Sequence, residues 1–177
     1  MRLITIQNKK VLNTLLDNKL YTADFDHIFN DIEKDETNKF KAYQTLMNHY
    51  KYKVPPIFCC VLNRFSAFKE TRNSKNSVIL GLEVPDKLVK LHDINVWTNL
   101  QYCISKGFWK DSIYERYKPY LDGQFINGTT TVQAVIPYIT PEFLLCAYKL
   151  PKNFLIQREN SNLLVDKAFC ETPIYSK

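Results

Sequence analysis

The sequence has very little glycine and no long apolar run. Only four of its 177 residues are glycine, and they form no Gly-rich phosphate-binding loop. A cradle of backbone amides around a nucleotide phosphate is therefore not expected. No uninterrupted apolar segment approaches the roughly 18–20 residues that a membrane-spanning helix needs. The residues that follow Met1 turn polar instead of forming an apolar secretory segment. We therefore expect a soluble, cytoplasmic protein.

Histidine and cysteine are too few and too scattered to predict a zinc site or a disulfide framework. The histidines are His27, His49 and His92. The five cysteines show no Cys-x-x-Cys spacing and lie mostly inside apolar runs, which is typical of buried thiols. A weak alternative is a magnesium or manganese site made by carboxylates. Its ligands would be Asp24, Asp26 and Asp31. Acidic residues ahead of a helix are more often solvated partners of the helix dipole, so the main prediction is that no metal binds.

Positive charge and aromatic side chains are abundant. Lys and Arg number 24 against 18 Asp and Glu, which gives a net charge of +6 and favours polyanionic partners. Bases alternate with aromatic residues in three segments, at 39–53, 64–75 and 106–120. Cations neutralise phosphates while aromatic rings stack on unpaired bases, so these segments predict RNA binding. The candidate nucleic-acid-binding residues are Lys51, Tyr52, Lys53, Arg64, Phe65, Lys69, Arg72, Lys110, Arg116 and Lys118. The alternative is that the aromatic residues are core positions of helices whose outer faces carry the lysines.

Apolar spacing predicts a mixture of strands and helices within one domain. Strands are expected over 2–7, 57–62, 78–84, 130–136 and 144–150. Helices are expected after Asn8, Thr37 and Asp93, with a shorter one over 111–117 that stops at Pro119 and a single turn after Thr140. Because the two kinds of element do not alternate strictly, we predict an α+β fold over 1–177. Its sheet would be antiparallel or mixed, with flanking helices.

Two histidines stand beside groups that could take part in RNA cleavage. His49 precedes Tyr50 and Lys51 at the end of a basic helix, and His92 precedes Asp93 just before another helix. Metal-free cleavage of RNA needs a general acid and base near neutral pKa and a cation for the phosphorane. A structural or surface role for each histidine is the alternative.

The order of short motifs resembles that of an uncharacterised bacterial and phage family, a domain of unknown function whose members open with Trp-Thr-Ile-Gln. The motifs are Thr5-Ile6-Gln7, Ala42-Tyr43, Ile57-Phe58, Leu82-Glu83-Val84-Pro85, His92-Asp93 through Trp97, and Val132-Gln133-Ala134. This chain has Ile4 where the family usually has Trp. The resemblance covers roughly residues 1–150 and leaves 151–177 as a C-terminal extension.

That layout is in turn similar to the ADP-ribosyltransferase-like fold, in which a split β-sheet clasps NAD. The resemblance implies that Gln7 or Thr5 takes the place of a His or Arg on the first strand. Gln133 would take the place of a late-strand Glu, ahead of a turn at Ile139-Thr140-Pro141-Glu142. A neutral Gln133 cannot balance an oxocarbenium-like centre, and Gln7 has no charge for the NAD phosphates. A protein with this fold would then catalyse a different reaction, or would bind a partner without catalysing one.

These patterns lead to one main expectation and two alternatives. The main one is a small basic accessory protein that binds RNA or a ribonucleoprotein and cleaves or modifies the RNA, for example as a phage or plasmid inhibitor of an RNA-guided defence system. The first alternative is an NAD-dependent transferase, and the second is a non-catalytic interaction module that uses the acidic segment 24–36. The catalytic candidates are Gln7, Gln133, His49 and His92. No cofactor is expected except NAD under the first alternative.

Overall fold

The computed structural model describes residues 1–29, 36–61, 76–125, 132–149 and 173–177. Within these ranges the strands are β1 (Arg2–Asn8), β2 (Ile57–Val61), β3 (Ser77–Glu83), β4 (Lys90–Asp93), β5 (Val132–Ile136), β6 (Leu144–Lys149) and β7 (Tyr175–Ser176). The helices are α1 (Lys9–Leu16), α2 (Phe25–Phe29), α3 (Glu36–Tyr50), α4 (Ile94–Ser105) and α5 (Asp111–Leu121). Short 3-10 helices at Asp86–Leu88 and Pro141–Phe143 precede β4 and β6.

The described strands form one seven-stranded sheet in the order β4-β5-β2-β1-β3-β6-β7. Every pairing in it is antiparallel. The predicted α+β class and antiparallel pairing are therefore confirmed. Strand β1 bonds to β2 on one side and to β3 on the other, so the described sheet is continuous through β1. The split sheet of the ADP-ribosyltransferase-like layout stays a prediction.

Successive strand residues point to opposite faces of the sheet, and each face has its own core. One face packs against α1 and includes Leu3, Cys59, Leu80 and Ala134 among its buried residues. The other face carries Phe58, which packs against a core supplied by α3, α4 and the end of α5. That second core consists of Ala42, Tyr43, Leu46, Val96, Trp97, Leu100, Ile104 and Leu121. The helices on this second face bring the candidate site together.

Two of the predicted helix caps are present. The Asn8 side chain accepts a hydrogen bond from the backbone N–H of Lys10, and the Asp93 side chain accepts one from Asn95. Each satisfies one of the backbone donors that a helix start leaves without a partner. The third cap prediction is off by two residues, because α3 begins at Glu36 and so includes Thr37, which was expected to precede the helix.

Four helices end in the same way, with one residue in the left-handed conformation. Those residues are Asn18 after α1, Lys51 after α3, Gly107 after α4 and Gly123 after α5. In each case the N–H of the next residue bonds to the carbonyl five positions back, as from Tyr52 to Met47. This is the Schellman arrangement, in which the left-handed position usually holds glycine. Asparagine also occurs there, as at Asn18, so the lysine after α3 is the exception among the four.

Helix α5 and strand β4 differ from the sequence prediction. Helix α5 continues through Pro119 to Leu121, whereas the proline was expected to end it. Proline removes one backbone hydrogen bond, but burial of Leu121 in the second core supports the last turn. Strand β4 was not predicted, since Lys90-Leu91-His92-Asp93 is a short polar segment at the sheet edge. It pairs with β5, and this pairing places His92 opposite Gln133.

Candidate functional site

A cluster of polar and aromatic side chains lies where the end of α3, the end of α5 and β4 meet. We call it the α3–α5 junction and define it as His49, Tyr50, His92, Tyr114, Asp122 and Gln133. It is built around the last turn of α3, which presents His49 to α5 and Tyr50 to β4. The residues come from four elements that are distant in sequence, so only the fold brings them together.

His92 is the buried centre of the inner half of this junction. It is 0 % exposed, its Nδ1 lies 3.0 Å from the Tyr50 hydroxyl, and its Nε2 lies 3.0 Å from Oε1 of Gln133. The Tyr50 hydroxyl also lies 3.0 Å from the Leu121 carbonyl. These bonds tie α3, β4, β5 and the end of α5 to one another. His92 therefore holds the junction in place and is not accessible to a ligand.

Burial keeps His92 neutral at physiological pH. It lowers the pKa of His92 to about 4, although Gln133 and Asp93 act in the opposite direction. A neutral imidazole has a single N–H. With Gln133 Oε1 facing Nε2, the proton belongs on Nε2, and the single Tyr50 proton is shared between Nδ1 of His92 and the Leu121 carbonyl. Burial also raises the pKa of Tyr50, so that hydroxyl keeps its proton.

His49 forms the outer half of the junction. Its Nδ1 lies 3.0 Å from the Tyr114 hydroxyl, and its Nε2 lies 3.1 Å from Oδ1 of Asp122. The Asp122 contact is short enough for an ion pair, but the N–H of Nε2 is not aligned with the oxygen and makes no regular hydrogen bond. The His49 side chain is 4 % exposed and that of Asp122 is 58 % exposed. The pair therefore reaches from the interior to the surface.

Burial lowers the pKa of His49 below its ordinary value. Asp122 raises this pKa through its charge, and Lys118 lowers it, but burial is the largest effect. At neutral pH the imidazole is therefore neutral and able to accept a proton. The position of His49 in the last turn of α3 favours the protonated form once it arises, because helix carbonyls point toward that end.

Aromatic rings form a continuous chain from the surface to the second core. The Trp109 and Tyr114 ring centroids are 6.1 Å apart, Tyr114 and His49 are 6.1 Å apart, and His49 and Tyr50 are 4.7 Å apart. Tyr50 continues the chain to Tyr52 at 5.6 Å. Burial raises the pKa of Tyr52 to about 12. The outer half of the junction is thus in ring contact with Trp109, near the start of the basic-aromatic segment 106–120.

Three of the four predicted catalytic residues come together, and the fourth does not. His49, His92 and Gln133 all belong to the α3–α5 junction. Gln133 pairs with Cys60, and Cys60 pairs with Ile4, so these three residues share a sheet face. Gln7 is three positions from Ile4 along β1 and therefore lies on the opposite face. There its side-chain amide donates to the Thr5 hydroxyl at 2.9 Å. The expected pocket between Gln7 and Gln133 is not formed by the described residues.

The predicted nucleic-acid-binding residues are divided in the structure. Lys51 and Lys53 follow α3 and are exposed, whereas Tyr52 is half-buried and donates to the Leu88 carbonyl at 3.4 Å. Tyr114 and Lys118 are four residues apart and share one face of α5, whereas Lys110 is the extended residue just before the helix. Arg116 is exposed but two positions from Tyr114, so it faces away from that row. Arg64, Phe65, Lys69 and Arg72 lie outside the described residues.

The sequence prediction missed the most exposed part of this region. Tyr102 is 56 % exposed and Phe108 is 58 % exposed, which is unusual for rings of this size. Lys106 Nζ lies 6.0 Å from the Tyr102 ring centroid. We call Tyr102, Lys106, Phe108, Trp109 and Lys110 the α4–α5 surface. The signal was present in the sequence, since Tyr102 falls outside the apolar row of α4 and has no core role.

The described residues offer no set of metal ligands. Over the parts of the chain that the structure describes, no three His, Cys, Asp or Glu side chains come together. Asp24 and Asp26 are exposed, and Asp31 lies outside those ranges. Cys59 is buried, and burial raises the pKa of its thiol to about 12, which is consistent with an inert core thiol.

None of the helices described here is long and apolar enough to cross a membrane. No curated protein and no solved structure matches the chain. A family model described as a domain of unknown function, DUF3841, matches residues 2–142. The matched region covers the α3–α5 junction, the α4–α5 surface and the strands from β1 to β5. The chain therefore belongs to the DUF3841 family, which confirms the resemblance that its short motifs indicated.

Proposed function

We propose that this protein binds single-stranded RNA, free or within a ribonucleoprotein, through the α4–α5 surface. The observation that supports the proposal is the exposure of Tyr102 and Phe108, at 56 % and 58 %, beside Lys106 and Lys110. Unpaired bases stack on exposed aromatic rings, and lysines next to those rings neutralise the adjoining phosphates. Neither ring has a place in the two cores, so a partner accounts for their exposure better than folding does.

The cations continue from this surface toward the α3–α5 junction. Lys110 precedes α5, Lys118 lies in its second half, and Lys51 and Lys53 follow the end of α3. Asp111 and Glu115 offset part of this charge, and Glu115 lies 3.9 Å from Lys118. The backbone of a bound RNA strand would therefore run from the exposed rings of Tyr102 and Phe108 toward the α3–α5 junction. The net charge of +6 supports the same kind of partner.

The proposal includes the cellular role expected from the sequence. An RNA-guided defence complex exposes unpaired guide RNA, and a small protein that stacks on such bases would interfere with target pairing. We therefore propose an accessory factor of a phage or plasmid, acting as an inhibitor of such a complex. Purified complex, with and without its guide, is the substrate on which this role is tested.

The ADP-ribosyltransferase-like layout and its NAD cofactor stay predictions. Gln7 and Gln133 lie on opposite faces of the sheet, so the described residues give NAD no shared pocket between them. The acidic interaction module also stays a prediction, because Asp24 and Asp26 are the acidic residues of this segment whose side-chain exposure is described. A rise in melting temperature with NAD would favour the transferase.

RNA binding is tested by fluorescence anisotropy with a labelled single-stranded RNA over a salt titration. Replacing Tyr102 and Phe108 by Ala should weaken binding by about 1–3 kcal/mol per ring, roughly 5- to 150-fold in Kd. Both rings are exposed, so the fold should be retained. Replacing Lys106 and Lys110 by Gln should flatten the slope of log K against log salt by about 0.7 per lysine.

The matched control replaces Lys9 and Lys10 by Gln. These lysines are exposed on α1, which packs against the other face of the sheet, and the change in net charge is the same. The control should keep most of the affinity. The proposal is contradicted if RNA affinity does not depend on salt concentration. It is also contradicted if the control loses as much RNA affinity as the variants of the α4–α5 surface.

A further inference from the structure

The outer half of the α3–α5 junction places a hydroxyl, an imidazole and a carboxylate in sequence. The Tyr114 hydroxyl lies 3.0 Å from Nδ1 of His49, and Nε2 of His49 lies 3.1 Å from Oδ1 of Asp122. A nucleophile within hydrogen-bond reach of a base, which is itself oriented by a third group, is the recurring arrangement of covalent catalysis. Tyr114 is partly exposed on α5, so a substrate can approach it.

Asp122 selects the form of His49 that this chemistry needs. A carboxylate beside Nε2 favours the tautomer with its proton on that nitrogen. Nδ1 is then an acceptor and faces the Tyr114 hydroxyl. The Nε2–H and Oδ1 are close but not aligned, and contacts of this kind often tighten only when a substrate is bound. The Asp122 charge would also stabilise the imidazolium that forms.

The surroundings of Tyr114 suit a phosphodiester. Lys118 lies one turn after it on the same face of α5 and is close enough to act on the charge of His49, and Lys110 immediately precedes the helix. Cations at these positions would neutralise the oxygens of a phosphorane. The Trp109 ring, 6.1 Å from that of Tyr114, offers a stacking face for an adjoining base.

We propose that Tyr114 is a nucleophile that attacks a phosphodiester of the bound RNA, with His49 as its base. The bond from Tyr114 Oη to phosphorus forms as the bond from phosphorus to the leaving 5′ oxygen breaks. The phenol proton passes to Nδ1 of His49, and the leaving 5′ oxygen, which departs on the far side of phosphorus, takes a proton from water as His49 returns its own. The products are a phosphotyrosyl ester on the protein and an RNA fragment with a free 5′ hydroxyl. The step needs no oxidant, reductant or further reactant.

Attack by a ribose 2′ hydroxyl is the competing route, and the geometry disfavours it. Both nitrogens of His49 already face protein groups, Tyr114 on one side and Asp122 on the other. The side chain is only 4 % exposed, so a 2′ hydroxyl has little access to either nitrogen. The group that His49 can deprotonate without rearrangement is the Tyr114 hydroxyl. The two routes differ in outcome, since only the first leaves RNA covalently bound to protein.

The RNA-based part of this inference rests on the proposed function, so the test has one arm without RNA. In that arm bis(p-nitrophenyl) phosphate is the phosphodiester. The wild-type protein should release p-nitrophenolate in a stoichiometric burst, and mass spectrometry should find the phosphodiester adduct on Tyr114. In the second arm, end-labelled RNA should migrate with the protein on a denaturing gel. A DNA strand of the same sequence should react as well, because attack by Tyr114 does not need a 2′ hydroxyl.

Tyr114→Phe should abolish the adduct while keeping RNA affinity, because the ring and its packing remain. Tyr117→Phe, on the same helix, is the matched control and should form the adduct normally. His49→Asn should slow adduct formation by about 10²- to 10⁴-fold. Asp122→Asn should slow it and shift the acid limb of the rate to lower pH, because Asp122 raises the pKa of His49. The other groups that act on His49 are Lys118, Tyr114 and His92, and they are unchanged in that variant.

The possible results separate the two proposals. RNA binding with no burst and no adduct overturns the nucleophile and leaves RNA binding intact. A burst and an adduct on Tyr114 without RNA binding overturn the proposed function and support the nucleophile. RNA cleaved without an adduct, and only when 2′ hydroxyls are present, overturns Tyr114 in favour of attack by the ribose.

Discussion

At the scale of single residues, Lys51 occupies a backbone conformation that lysine rarely adopts. Its φ is 57°, in the left-handed region, where an L side chain costs roughly 1–2 kcal/mol. Lys51→Gly should therefore raise the free energy of unfolding by about 0.5–1 kcal/mol, after allowing for the larger entropy of glycine in the unfolded chain. Urea denaturation measures this change. Lys53→Gly, two residues on, removes the same charge outside the left-handed region and should not stabilise. An equal gain in both variants would rule out backbone strain as its cause.

A second residue-scale prediction concerns His92 and pH. Its folded-state pKa is about 4, below its ordinary value of 6.5, so protons bind more readily to the unfolded chain. The contribution of His92 to stability is complete above pH 6.5 and is lost as the pH falls toward 4. Over this range the free energy of unfolding falls by about 3 kcal/mol. The pKa of His49 is also lowered in the folded state, so protonation of His49 destabilises the fold in acid as well.

The measurement is chemical denaturation at pH 7 and near pH 4, compared between the wild type and His92→Leu. The variant should be less stable at pH 7 by about 1–3 kcal/mol, because Gln133 loses its buried partner. It should also lose much of the pH dependence, since the titrating group is gone. A variant as pH-sensitive as the wild type would mean that other groups cause the acid instability.

Sequence reasoning reached part of the site at this scale. His49 and His92 stood out because imidazoles are chemically distinctive wherever they lie, and Gln133 was singled out by the resemblance to the ADP-ribosyltransferase-like layout. Tyr50, Tyr114 and Asp122 did not, since tyrosines at helical spacing resemble core residues and Asp122-Gly123 resembles an ordinary turn. Their role depends on contacts between α3 and α5 that are distant in sequence. The local sequence pattern does not indicate such contacts.

At the scale of elements, local signals predicted most helices and strands. Asn8, Asp93 and Gly107 mark helix boundaries through bonds made within a few residues, so their effect can be read from sequence. The two failures have a common cause. Strand β4 forms because β5 lies beside it, and α5 passes Pro119 because Leu121 is buried. In both cases tertiary packing outweighs the local preference.

The pairing of β3 with β6 depends on a close approach at Gly81. A Cβ at this position would lie 2.6 Å from Sγ of Cys146, nearer than real contacts allow. Gly81→Ala should therefore lower the free energy of unfolding by about 1–3 kcal/mol. The matched test is a double-mutant cycle, in which Cys146→Ala removes the sulfur and should restore most of the loss. Equal destabilisation by Gly81→Ala with and without Cys146 would show that the sulfur is not the obstacle.

At the scale of the whole molecule, the sequence predicted the α+β class but not the sheet order. The alternation of apolar residues along a strand indicates which of them are buried, but not which strands are neighbours. Here β2 pairs with β5 and β3 with β6, and many other strand orders would bury the same residues. The expected pocket between Gln7 and Gln133 depended on the order and faces of the strands. Since both face assignments follow from the register of β1, β2 and β5, only the folded sheet could separate the two glutamines.

The central place of β1 also has a consequence during synthesis on the ribosome. Strand β1 leaves the exit tunnel well before β3, its longest partner, which begins at Ser77. At about 5–20 residues per second, translation of the intervening segment takes roughly 3–14 s. A β-hairpin closes in about 1–10 μs, so β1 remains without this partner for a period that is very long on the folding timescale. The apolar side chains of Leu3 and Ile4 are uncovered for that interval, and nascent chains of this protein should depend on chaperones that shield the first strand.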